Sequence, residues 1–157
     1  MLKIIFYIKS EKINLKSESP IFAKVTLGKE GISIEVKKIQ LLDIFEKHNN
    51  EFAKKVKSEE RSSASLQKYK RLADLIKNFI RKTYNVNNIN IEKINSSFIY
   101  NLETYLKFES EFKGVVGIKN NSVVKYFKNF KTICNYGIKM DLIDKNPFNV
   151  YNGKLKI

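Results

Sequence analysis

Apolar and polar positions along the chain follow two periods, and the change between them falls near residue 38. Residues 2–9 (LKIIFYIK), 21–27 (IFAKVTL) and 32–37 (ISIEVK) are short runs of β-branched and aromatic residues, a composition that suits a half-buried pleated surface. The gaps hold Asn14, Ser17, Ser19-Pro20 and Gly28…Gly31, which are turn formers. Three antiparallel strands are predicted over residues 1–38. A sheet this small must lean on a helix or another domain to bury enough surface.

From residue 39 the spacing becomes helical. Leu41, Phe45, His48, Phe52 and Val56, with Leu42 and Ile44 beside them, mark a first helix to about Lys57. Ser62 or Ser63 can cap a second helix to about Tyr84, with Leu66, Tyr69, Leu72, Ala73, Ile76, Phe79 and Ile80 as its inner stripe. After an Asn-rich link (Asn85, Asn87, Asn88, Asn90), Ser96 or Ser97 opens a third helix with Phe98, Ile99, Leu102, Tyr105 and Leu106 inward. Gly114 and Gly117 then mark a loop. The fourth helix opens near Asn120-Asn121-Ser122, buries Val123, Phe127, Phe130 and Cys134, and ends at Tyr136 with Gly137 as C-cap. A last short turn precedes Asn146-Pro147-Phe148. The predicted fold class is α+β: a small three-stranded antiparallel sheet (1–38) followed by a mainly α four-helix bundle (39–157).

Composition changes the picture in one respect. Lys and Arg number 30 against 16 Asp and Glu, for a net charge of +14, which favours a polyanionic partner through summed electrostatics and counterion release. Enrichment in Lys, Asn and Ile together is also what an AT-rich genome produces, so the placement of the charge carries the argument. With Tyr69 at the centre of the buried face of the second helix, Gln67, Arg71, Asn78, Arg81 and Lys82 fall on the far side, with only Asp74 among them. Residues 61–82 hold seven bases and one acid. In the fourth helix Asn121, Ser122, Lys125, Lys128, Asn129 and Thr132 lie opposite the apolar line with Lys131 on the flank, and residues 119–131 contain no acid. Such faces can be ordinary solvated surface. Two of them in one bundle, Lys and Arg interleaved with short hydrogen-bonding side chains, point to phosphate and base-edge contacts. The third helix carries Glu103, Glu109 and Glu111 against Lys107 and Lys113 and is read as facing away.

Other chemistry has little support. The lone Cys134 cannot form an internal disulfide, and the opening apolar run Ile4–Ile8 is too short for a signal-peptide core or a membrane span. A cytoplasmic protein with no membrane partner is expected. One His and one Cys do not make a zinc site unaided, and no phosphate-binding glycine loop occurs, so no metal, cofactor or small-molecule substrate is expected. Gly114-Val-Val-Gly117 resembles the clamp of KH domains only in spelling. His48 and Cys134 are read as packing residues. Lys9, Lys12 and Lys16 could touch DNA or protect a sheet edge.

Together these residues resemble the N-terminal half of a tyrosine recombinase, the integrase type carried by phages and conjugative elements. The clearest stretch is similar to its core-binding, SAM-like domain: Ser65-Leu-Gln-Lys-Tyr69, then Leu72…Ile76…Phe79-Ile80 and Tyr84, then Ile91…Ile94…Phe98-Ile99…Leu102-Glu103-Tyr105-Leu106-Lys107. It continues through Asn121-Ser122-Val-Val-Lys125-Tyr126-Phe-Lys-Asn-Phe130-Lys131-Thr-Ile133 to the Asp144-Lys145-Asn146-Pro147-Phe148 exit. The opening Ile5-Phe6-Tyr7-Ile8-Lys9…Ser19-Pro20-Ile21-Phe22…Val25 resembles the arm-binding domain that precedes it in one branch of the family. The resemblance implies double-stranded DNA as partner, with other recombinase protomers as a further partner class. It also implies that the second and fourth helices lie toward the major groove. Carried over by position, Ser65, Lys68, Arg71, Asn121, Ser122, Lys125, Lys128 and Lys131 are the DNA-binding candidates.

The chain departs from the family pattern twice. It has no Trp and enters its first helix within a few residues of the third strand, a shortening of the arm-binding region. The catalytic domain would follow Tyr151, and its His-x-x-Arg element cannot be built here, since the only histidine, His48, is followed by Asn49, Asn50 and Glu51. The expectation is therefore a non-enzymatic, DNA-gripping portion of an integrase. The competing reading is a helical protein-interaction module that regulates a full-length recombinase.

Overall fold

A computed structural model describes residues 2–8, 21–27, 30–36, 39–112 and 114–150 of the chain. The predicted turn residues Asn14, Ser17, Ser19, Pro20 and Gly28, the lysines at 9, 12 and 16, and Tyr151 lie outside the described residues. The chain divides into two compact units, Met1–Lys38 and Ile39–Ile157.

In the first unit, β1 (Leu2–Ile8), β2 (Ile21–Leu27) and β3 (Glu30–Val36) pair antiparallel in the order β1-β2-β3. Leu2 stands opposite Leu27 and Ile8 opposite Ile21 in one pairing, and Ile21 opposite Val36 in the other. Gly31, expected in a turn, lies inside β3 opposite Thr26.

The second unit is mainly helical, built from α1 (Leu41–Lys57), α2 (Ser63–Tyr84), α3 (Ser96–Phe108) and α4 (Asn120–Lys139). Leu72, Ile76, Ile80, Ile99, Leu102, Leu106, Phe130 and Ile133 have essentially no exposed surface, and they form one core with Leu41, Ile44 and Phe45. Ser62 caps α2, its hydroxyl accepting from the Ser65 N–H at 3.3 Å. At the other end Asn85 takes a left-handed conformation (φ 53°) and donates its N–H to the Arg81 carbonyl. Asn95 caps α3 by accepting from the Phe98 N–H at 3.0 Å.

The Asn-rich link does more than connect. Gln40 precedes α1 with no side-chain cap, and the orphan Leu42 N–H instead donates to Asn88 Oδ1 at 3.0 Å. Asn88 Nδ2 donates in turn to Asp43 Oδ1 at 3.1 Å. A bridge between Gln40 and Asn90, with the Leu41 N–H on Ile89 O and the Ile91 N–H on Ile39 O, holds the link against the start of α1. A 3-10 turn (Ile91–Lys93) follows, capped by Asn90.

Gly114 and Gly117 stand at the turn and the exit of a short hairpin, β4 (Glu111–Phe112) with β5 (Val115–Val116), between α3 and α4. One glycine reading is corrected. Gly137 is not a C-cap. α4 runs through it to Lys139, and the left-handed residue is Asp141 (φ 52°). The Leu142 N–H donates to Gly137 O and the Asp141 N–H to Ile138 O, the paired bonds of a Schellman ending. Gly137 is buried, and a Cβ there would stand 3.2 Å from Ile143 Cγ1 and 3.5 Å from Ile44 Cγ2. Its smallness makes room for the chain returning over α4.

Candidate nucleic-acid interface

Helix α4 separates its two faces cleanly. Val123, Val124, Phe127, Phe130, Ile133, Cys134 and Gly137 are buried. With about 100° of turn per residue, Asn121, Lys125, Lys128, Thr132, Asn135 and Lys139 fall within about 80° of arc on the opposite side, and all six are exposed. Exposed Ser122 and Lys131 border this stripe on either side. No acidic residue occurs anywhere in the helix. The Thr132 hydroxyl is committed to its own helix, donating to Lys128 O at 3.0 Å. The other polar side chains of the stripe are lysines and amides.

Asn135 and Lys139 extend the stripe past Thr132, where the outward face read from the sequence stops; Asn135 lies inside the helix predicted to Tyr136, and Lys139 is reached only because α4 continues through Gly137.

The basic residues of α2 do not form one face. Lys68 is exposed, Ser65 and Arg71 are half-buried, and these three follow one edge of the helix. Lys70, Lys77 and Arg81, all exposed, lie together on a different edge, about 140–180° from Lys68 and about 80–120° from Arg71. The Ser65 hydroxyl lies 3.0 Å from Ser62 Oγ and belongs to the helix cap. Lys82, expected on the outward face, turns toward α3. It pairs with Glu109 at 3.0 Å and stands 5.7 Å from the centre of the Tyr105 ring. On α3 itself Lys107 pairs with Glu103 at 2.6 Å, one turn away.

The single histidine packs among aromatic rings. His48 is buried, with the Tyr69, Tyr136 and Phe52 rings 4.6, 5.2 and 5.8 Å away. Burial lowers its pKa, with the hydrogen bond from its Nδ1–H to Asn49 Oδ1 opposing. Tyr136 donates its hydroxyl to Glu51 Oε1 at 2.6 Å. Desolvation first, then that carboxylate, push its pKa up to about 12, the reverse of what a tyrosine nucleophile needs. Burial likewise pushes the Cys134 thiol up to about 12. Among the described residues no group of three or more His, Cys, Asp and Glu could hold a metal ion, and no helix is long and apolar enough to cross a membrane.

The model of the phage integrase SAM-like domain matches residues 40–157. The chain belongs to the phage integrase SAM-like domain family. No curated protein and no solved structure matches the chain. The family match spans all four helices, so both the α2 edges and the α4 stripe are surfaces of the SAM-like domain.

Proposed function

We propose that the chain is the DNA-binding N-terminal portion of a tyrosine-recombinase-type integrase, and that its SAM-like domain clamps duplex DNA for site-specific integration. The observation that carries this reading is the acid-free α4 stripe on a domain of the phage integrase family. Lys125, Lys128, Lys131 and Lys139 supply phosphate neutralisation, while Asn121, Ser122 and Asn135 supply uncharged hydrogen-bonding groups. Lys68 and Arg71, with Ser65 beside them, form the α2 contribution. In this reading residues 1–38 are a shortened arm-binding-like sheet and residues 39–157 the gripping domain. In this reading strand cleavage falls to groups other than these: the sequence holds no His-x-x-Arg element, and the Tyr136 hydroxyl is engaged by Glu51.

The test is binding of a fluorescently labelled duplex by the full chain, followed by anisotropy at two salt concentrations. Lys125→Glu combined with Lys128→Glu should weaken binding to any duplex and reduce the salt slope by roughly two, at about 0.9 per phosphate contact. Unchanged affinity at both salt concentrations rejects the assigned face. A protein-interaction module is the second reading, favoured by four exposed apolar side chains on α3 and β5: Tyr100 (65%), Phe108 (70%), Val115 (65%) and Val116 (64%). Absence of duplex binding at moderate salt, together with co-elution of the chain with a full-length recombinase, would select it.

A further inference from the structure

We propose that Asn135 is a phosphate contact on the α4 face and that the buried Asn146 positions it. The inference rests on the reading of that face as a DNA surface. Its basis is a chain of amides whose polarity is set from the inside. Asn146 is 3% exposed, and its Oδ1 accepts the Phe148 N–H at 2.9 Å. A backbone N–H can only donate, so this contact identifies the oxygen of the Asn146 amide and leaves Nδ2 on the other side. That Nδ2 donates to Asn135 Oδ1 at 2.6 Å, with Lys131 O a weaker second acceptor at 3.5 Å. The Asn135 amide is thereby held by its oxygen, and its Nδ2, with two N–H donors, remains to be satisfied from outside.

Asn135 is exposed, so those donors meet solvent or a ligand that accepts hydrogen bonds. Its neighbours on the helix surface are Lys131 one turn before and Lys139 one turn after, with Lys128 two turns before. An oriented neutral donor among three lysines suits an anionic oxygen, and on a duplex that is a backbone phosphate. The same arrangement ties the exit segment to the binding face. Asn146-Pro147-Phe148 is anchored by Phe148, whose ring packs against Phe127 and Phe130 at 5.8 and 5.1 Å. Movement of the chain after α4 would release the Asn135 amide.

The test uses the full chain, two duplexes of unrelated sequence and two salt concentrations, with thermal unfolding followed in parallel. Asn135→Ala removes the donor without removing charge. Binding should fall roughly three- to tenfold, as for one ordinary hydrogen bond exchanged with water, equally on both duplexes and with an unchanged salt slope. Asn146→Asp keeps an acceptor for the Phe148 N–H but cannot donate to Asn135 Oδ1. The Asn135 amide then turns over, offers its Nδ2 inward and presents oxygen to the phosphate. Its binding loss should be at least that of Asn135→Ala, because the new carboxylate also repels phosphate, and adding Asn135→Ala to Asn146→Asp should cost nothing further.

If Asn135→Ala binds like wild type while the Lys125→Glu, Lys128→Glu pair weakens binding, the inference is overturned and the DNA face stands. A loss confined to one of the two duplexes overturns the phosphate assignment in favour of a base contact. If the lysine pair also binds like wild type, the face itself fails and the Asn135 proposal falls with it.

Discussion

Gly117 offers a direct measurement of how tightly the β4-β5 hairpin is clamped to the end of α3. Its φ is +80°, and a Cβ placed on it would stand 2.3 Å from the Lys107 carbonyl oxygen, a backbone atom of the last turn of α3. The Gly117 N–H donates to Ser110 O at 2.7 Å, and the Ile118 N–H donates to Leu106 O at 2.9 Å. Gly117→Ala therefore incurs about 1–2 kcal/mol for the left-handed backbone. It also forces a shift that weakens two backbone hydrogen bonds, each contributing about 1 kcal/mol. The expected cost is about 2–4 kcal/mol. Gly114 is the control, since its φ is +76° and nothing lies within 4 Å of an added Cβ. Gly114→Ala should cost only the conformational part, about 1–2 kcal/mol. Urea unfolding followed by circular dichroism at the helix band reads the helical unit, and at a slope of about 2 kcal/mol/M the two variants should differ by roughly 0.5–1 M in midpoint. Equal midpoints for the two variants would refute the close approach of Gly117 to α3.

Three further outcomes are expected. Asn88→Ala should destabilise the helical unit by about 1–2 kcal/mol, the usual cost of a lost N-cap, since it removes the acceptor for the Leu42 N–H and the partner of Asp43; urea unfolding reads it, and a neutral result would show that α1 does not depend on the link. His48 has a folded-state pKa below its ordinary 6.5, so the unfolded chain binds more protons as the solution is acidified. The stability contributed by neutral His48 is then fully present above about pH 6.5 and is lost as pH falls from there toward the lowered pKa, and His48→Phe should flatten the unfolding midpoint between pH 7 and 5. Lys82→Ala should leave the salt slope of duplex binding unchanged while Lys128→Ala lowers it by about 0.9, because Lys82 is turned to Glu109 and Tyr105; equal slopes for the two variants would contradict that assignment.

What the sequence by itself determined was the set of helices in residues 39–157 and the side each buries. Apolar spacing near 3.6 residues identified Leu72, Ile76, Phe79 and Ile80 on α2 and Val123, Phe127, Phe130 and Cys134 on α4, all buried. This was legible because the period of burial along a helix is a one-dimensional signal that needs no knowledge of what lies opposite. The same signal marked Asn121, Lys125 and Lys128 as a shared exposed face, and the ordered motifs carried the family resemblance that the match to residues 40–157 shows.

Only the tertiary structure decided where the polar groups turn. Asn88 caps a helix 46 residues earlier in sequence. Gly137 looked like a C-cap because glycine favours helix ends. It is interior because Ile143 folds back over it, and Asp141 accepts the left-handed conformation in its place. Lys82 lies on a basic stretch but meets Glu109 at the C-terminal end of α3, and Asn135 gains a fixed orientation from a residue 11 positions away. In each case the physical reason is the same. Apolar side chains need only leave water, whereas a hydrogen bond or ion pair needs one particular partner at about 3 Å. The path of the chain between helices decides which partner that is.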